Sequence, residues 1–101
     1  HIPVEDDKGK LVGIITYRDL LEIFSTGIVK KDKEIVVRDI MTSDLITVSP
    51  ETATLNALKI MREKDVGCLP VVKNKKLVGL LTAQDFLTVS TRLFEERLQN
   101  L

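Results

Sequence analysis

Apolar positions in this chain fall into short β-rich runs separated by charged turns, and into longer stretches with helical spacing. Ile2 to Val4 and Leu11 to Ile15 flank the polar turn Asp6-Asp7-Lys8-Gly9, and Leu69 to Val72 and Leu77 to Leu81 flank Lys73-Asn74-Lys75. Each pair predicts a β-hairpin. Each second strand runs into a threonine whose hydroxyl can accept from a free amide of a first helical turn, so helices are predicted to start at Thr16 and Thr82. The first runs to about Ser25 and is ended by Gly27. Between the hairpins, Leu45 to Val48 reads as a strand and Ser49-Pro50-Glu51 as a turn. Thr54 to Lys64 reads as a helix with an apolar face of Leu55, Leu58 and Met61, flanked by Ala57 and Ile60. Asp65-Val66-Gly67 closes that helix, Gly67 being the residue best suited to a left-handed stop. Beyond Asp85, the recurrence of Phe86, Val89, Leu93, Phe94, Leu98 and Leu101 predicts a long terminal helix. Its stripe extends past what one small unit needs to cover, which fits a helix packed on the body, a dimer seam or a link to a missing domain.

The two hairpins are copies of one another. His1-Ile2-Pro3-Val4 through Gly13 to Leu21 matches Cys68-Leu69-Pro70-Val71 through Gly79 to Leu87, with an offset of 67 at the prolines and 66 at the glycines. One residue is therefore lost in the intervening turn. The later copy reads β-α-β-β-α and the earlier one only β-β-α, because residues 37–67 have no counterpart before His1. Residues 1–27 are thus the latter half of a first repeat, 28–37 a charged connector, and 38–101 a complete second repeat with a long terminal helix. A chain that opens on His1 and passes straight into Ile2-Pro3-Val4 is expected to be a piece of a longer polypeptide. The missing half-repeat is then either cut away or supplied by another chain.

The chain has 101 residues, with 15 Lys+Arg against 15 Asp+Glu, 44% hydrophobic and 30% charged residues, an ordinary globular balance. Neutral charge, three Phe, one Tyr and no Trp give neither the basic field nor the stacking aromatics of a nucleic-acid binder. No apolar run approaches the roughly 20 residues that cross a bilayer, and no secretory leader opens the chain, so a soluble, cytoplasmic protein without membrane insertion is expected. One cysteine and one histidine exclude an internal disulfide and a zinc site, so no metal is expected. No nucleophile-base pair, metal-ligand spacing or phosphate-binding glycine loop appears. The chain is expected not to be an enzyme and to carry no catalytic cofactor.

What remains is a doubled Gly-x-x-Thr-x-x-Asp at the strand-to-helix junctions, Gly13 to Asp19 and Gly79 to Asp85. A helix N-terminus suits phosphate, and a carboxylate one turn in can accept from the vicinal hydroxyls of a ribose. Threonine for phosphate and aspartate for ribose is a coherent nucleotide reading. The same two residues are also an ordinary capping arrangement, and it is the repetition in one structural context that favours function.

The text Val37-Arg38-Asp39-Ile40-Met41-Thr42, Ile46-Thr47-Val48-Ser49-Pro50, Ala57-Leu58-Lys59-Ile60-Met61, Val66 to Val72 and Leu77 to Asp85 resembles a cystathionine β-synthase (CBS) domain pair, the Bateman module. The resemblance covers nearly the whole chain. It implies a mixed α/β (α+β) fold of tandem β-α-β-β-α repeats packed about a pseudo-two-fold axis, with adenosine-ligand clefts between them. Each cleft would take phosphate and ribose contacts from one repeat and adenine contacts from the other. In the first cleft, Thr16 (phosphate), Arg18 and Asp19 (ribose) and Ile14 (beneath the base) would face Thr42, Ser43, Val66 and Gly67. His1 falls where some relatives place a basic residue against the phosphates, although a frayed terminal histidine fits equally. The second cleft would use Thr82, Gln84 and Asp85 with Cys68 near the phosphate, but its adenine half belongs to the absent residues, so one usable site is expected. Cys68 itself reads as a small buried hydrophobe. The resemblance implies an AMP, ADP, ATP or S-adenosylmethionine ligand, a homodimer, and a fused or partner effector that responds to occupancy; a ligand-free dimerisation module is the alternative.

Overall fold

The computed structural model describes residues 1–26 and 34–99. Two antiparallel hairpins form the frame: β1 (Ile2–Glu5) with β2 (Leu11–Ile15), and β3 (Cys68–Lys73) with β4 (Lys76–Thr82). The internal repeat extends to their register. Pro3 faces Ile14 and Val4 faces Gly13 in one; Pro70 faces Leu80 and Val71 faces Gly79 in the other, and each ladder slips one step later, after Val4 and after Val71. The hairpins differ in strand length and at the tip. In the first, the Asp6 carboxylate accepts from the Lys8 and Lys10 amides, both at 2.9 Å, and Gly9 takes a φ of +79°. The second closes in the two residues Asn74 and Lys75, both at positive φ, the backbone that a two-residue loop needs to match strand twist.

Helix α1 (Tyr17–Thr26) leaves the first hairpin and α4 (Ala83–Gln99) the second. The short α2 (Val37–Ile40), which the sequence reading assigned partly to the connector, begins where the Val36 amide donates to the Asp39 carboxylate at 3.0 Å. Helix α3 (Thr54–Lys64) packs on β3, and the core sits in this second unit: Val48, Ala57, Met61 and Leu69, with Ile46, Ile60, Val66, Val71, Leu81 and Phe86 around them. Among the described residues of the first unit, Ile14 and Ile15 alone join the buried apolar set.

Four expectations are corrected. The strand predicted over Leu45–Val48 is a single parallel bridge of Val48 to Val71, made by the Val48 amide to the Pro70 carbonyl at 3.0 Å and the Val72 amide to the Val48 carbonyl at 2.8 Å. The buried face of α3 centres on Ala57 and Met61, and Leu55 is 61% exposed. The left-handed stop of α3 is Asp65 (φ 51°, ψ 49°), not Gly67; aspartate tolerates this region because its short polar chain can bond locally. Cys68 is half-buried rather than a core residue. The predicted Gly27 stop and the last apolar position, Leu101, lie outside the described residues. No helix among the described residues is long and apolar enough to cross a membrane.

Candidate functional site

The two units meet along the start of α1. The Ile14 amide donates to the Thr42 carbonyl at 2.9 Å and the Thr42 amide to the Ile14 carbonyl at 2.8 Å, an antiparallel bridge between the end of β2 and the segment after α2. Gly13 makes the approach possible. A methyl group there would lie 2.9 Å from Cγ and 3.2 Å from Cβ of Met41, closer than carbon atoms pack. Thr16 caps α1 in a reciprocal box: its amide donates to Asp19 Oδ2 at 2.7 Å, its hydroxyl to the same oxygen at 3.1 Å, and the Asp19 amide to Thr16 Oγ1 at 3.4 Å. The Thr42 hydroxyl, from the second unit, donates to Asp19 Oδ1 at 3.3 Å. Thr82 and Asp85 repeat the box at α4, with 3.0 Å and 3.2 Å bonds.

Between the units opens a cleft of about 420 Å³, within the range of small-molecule sites. Ile14, Thr16, Arg18 and Asp19 line it from one side, and Thr42, Val66 and Gly67 from the other, so these residues are brought together as the sequence reading expected. His1 lies against Gly67, its ring 3.8 Å from where a β-carbon would stand. Ser43 does not line this cleft; it faces a separate hollow with Lys10, Leu11, Thr47 and Lys75. Cys68 was assigned to the second cleft, yet it lines this one, while Thr82, Gln84 and Asp85 line neither hollow. Burial is the main reason that the Cys68 thiol is held above its ordinary pKa, and the Asp85 carboxylate adds to it.

Sequence reasoning missed Tyr17, Asp44, Leu45, Ile46, Asp65 and Pro70 in the lining. A signal for some of them existed in sequence proximity: Tyr17 lies between Thr16 and Arg18 and Asp65 precedes Val66, while Asp44 and Leu45 border both this cleft and the second hollow. Among the described residues no three His, Cys, Asp or Glu side chains are grouped to hold a metal ion.

The CBS domain model matches residues 1–26 and 37–92. The chain belongs to the CBS domain family. A solved CBS relative, CBSX2 in complex with AMP, superposes with a TM-score of 0.75 at 31% identity, over 90% of this chain and 70% of that one. The CBS domain pair of protein MJ0100, in complex with 5′-methylthioadenosine and S-adenosyl-L-methionine, gives 0.73 at 28% identity, over 94% and 69%. The inosine-5′-monophosphate dehydrogenase of Methanocaldococcus jannaschii is 37% identical over 87 residues, which span 85% of this chain and 16% of that enzyme. The match covers 47% and 45% of the length of two further curated relatives. The mixed α/β architecture of paired CBS repeats is thus common to this chain and its structural neighbours.

Proposed function

We propose that this chain is a regulatory module that binds an adenosine ligand between its two CBS repeats and passes occupancy to an effector in the same or a partner chain. The ligand is an adenine nucleotide, AMP, ADP or ATP, or S-adenosylmethionine. The observation that carries this reading is the composition of the cleft: the capped start of α1, with Thr16, Arg18 and Asp19, faces Thr42, Val66 and Gly67 of the other repeat. The amides of the first helical turn and Arg18 suit phosphate or another polar 5′ group, Asp19 suits ribose hydroxyls, and Ile14 with Val66 gives a base an apolar seat. The AMP and S-adenosylmethionine complexes of the structural neighbours support the same ligand class. In this reading the module acts by binding, is cytoplasmic, and uses the first cleft alone, with Thr82 and Asp85 serving as a helix cap. A molecule that touches both repeats biases their relative arrangement only as far as it prefers one arrangement over another.

Thermal melting with AMP, ADP, ATP, S-adenosylmethionine and NAD tests the proposal. At about 100 times the dissociation constant a ligand stabilises by about 2.7 kcal/mol, a rise on the order of 10 °C for a domain of this size. The expected result is such a rise with an adenosine ligand and its loss in a folded Asp19→Ala variant. A cooperative melt that none of them moves would favour the second reading, a ligand-free dimerisation module. That reading draws on the uncovered apolar side chains of α1 and α4, among them Phe24 and Phe94.

A further inference from the structure

The cleft is acidic in a chain whose formal net charge is zero. Three carboxylates line it, Asp19, Asp44 and Asp65, against one guanidinium, Arg18, and one imidazole, His1. Asp19 is occupied: its two oxygens accept from the Thr16 amide and hydroxyl and from the Thr42 hydroxyl. Asp44 and Asp65 differ. Both are exposed at the cleft wall, Asp44 where the cleft borders the second hollow with Lys10 and Lys75, and Asp65 at the left-handed turn that ends α3. A single anionic or polar group has a counterpart in the first turn of α1 beside Arg18. A chain of phosphates finds no further cation among the lining residues, and each added negative charge enters a cleft that already holds the Asp44 and Asp65 carboxylates. We infer that this cleft selects by charge: adenosine ligands with a neutral or cationic 5′ substituent, such as a thioether or a sulfonium, bind more tightly than adenosine polyphosphates.

The inference rests on the adenosine-site reading and sharpens it. In water, one unit charge about 7 Å from another changes a binding constant by roughly three-fold, so two carboxylates acting on the added charges of a triphosphate give a preference of ten-fold or more at low salt. The test is calorimetric titration of the folded chain with 5′-methylthioadenosine, S-adenosylmethionine and ATP, in low-salt buffer without divalent cations. The expected result is a dissociation constant at least ten-fold larger for ATP than for either of the others. In the double variant Asp44→Asn, Asp65→Asn, that ratio should fall several-fold towards unity. Asparagine keeps the shape of both side chains and tolerates the left-handed backbone at position 65, so the fold should be retained, as a melt would verify. ATP binding as tightly as 5′-methylthioadenosine, or a ratio unchanged in the double variant, would overturn the charge selection and leave the adenosine site standing. No heat with any of the three would overturn the site itself, and the selection with it.

Discussion

Two glycines in equivalent positions of the repeat have different reasons to be glycine. At Gly79 a β-carbon would stand 3.8 Å from Val71 Cβ, ordinary contact, so Gly79→Ala should change stability by less than about 1 kcal/mol. At Gly13 the same carbon would press into Met41 near its backbone. Gly13→Ala should cost about 1–3 kcal/mol, a drop in melting temperature on the order of 10 °C, and should loosen the Ile14–Thr42 bridge. Thermal melts of the two variants side by side would check this, since equal effects would mean the cross-repeat contact contributes nothing. Cys68 gives a chemical probe at the same scale. Its raised pKa keeps the thiolate scarce near pH 8, and only the thiolate attacks an alkylating agent. Iodoacetamide should therefore modify the folded chain several-fold more slowly than the urea-unfolded chain. The gap should narrow as pH rises through the folded-state value, and an adenosine ligand in the cleft should widen it. The sign for stability follows: above the unfolded-state pKa the unfolded chain holds fewer protons, so this thiol weakens the fold as pH rises.

At the scale of elements, the tip of the second hairpin invites a designed change. Lys75 holds a φ of +66° as the second residue of a two-residue loop, a position that glycine fills without the β-carbon penalty. Lys75→Gly should stabilise by up to about 1 kcal/mol, seen as a rise of several degrees in the melt; a fall would mean that the lysine side chain contributes more than its backbone strain removes. The elements themselves were legible in the sequence where period and punctuation agree. The hairpins, the threonine-aspartate caps and α3 from Thr54 to Lys64 all carry local signals, and the duplication doubled two of them. The cleft was legible through resemblance, since nothing local says that Thr42 meets Asp19. What misled was geometry over one residue. Leu45–Val48 has the apolar content of a strand but exchanges hydrogen bonds with β3 only through Val48. Ser43 adjoins Thr42 in sequence but lines the second hollow, and Asp44 and Leu45 after it border both. Helix α2 is four residues long and has no periodicity to detect.

The molecule as a whole is extended. Its radius of gyration is 17.2 Å, against about 13 Å for a compact domain of this length. Its surface is 8254 Å², where about 5,800 Å² is usual for this mass. The surplus is roughly 2,500 Å²; α1 and α4 leave apolar side chains exposed, Phe24, Leu93 and Phe94 among them, and we propose that a homodimer interface covers them. Sedimentation equilibrium should give about twice the chain mass of 11.4 kDa. Leu93→Glu with Phe94→Glu should return the single-chain mass while the hairpins remain folded; a wild-type monomer would remove the dimer from the proposal. The bridge between Ile14 and Thr42, with the Asp19–Thr42 bond beside it, has a mechanical consequence. The seam between the repeats is carried by separate contacts, this bridge beside the cleft and the Leu11 amide to the Lys75 carbonyl at 3.1 Å between the hairpins, while the buried core cluster lies within the second unit. A guest seated across it would work as a splint, stiffening the joint in proportion to its own affinity, and the force that anything attached to either half must apply to pry them apart would report how often the splint is in place.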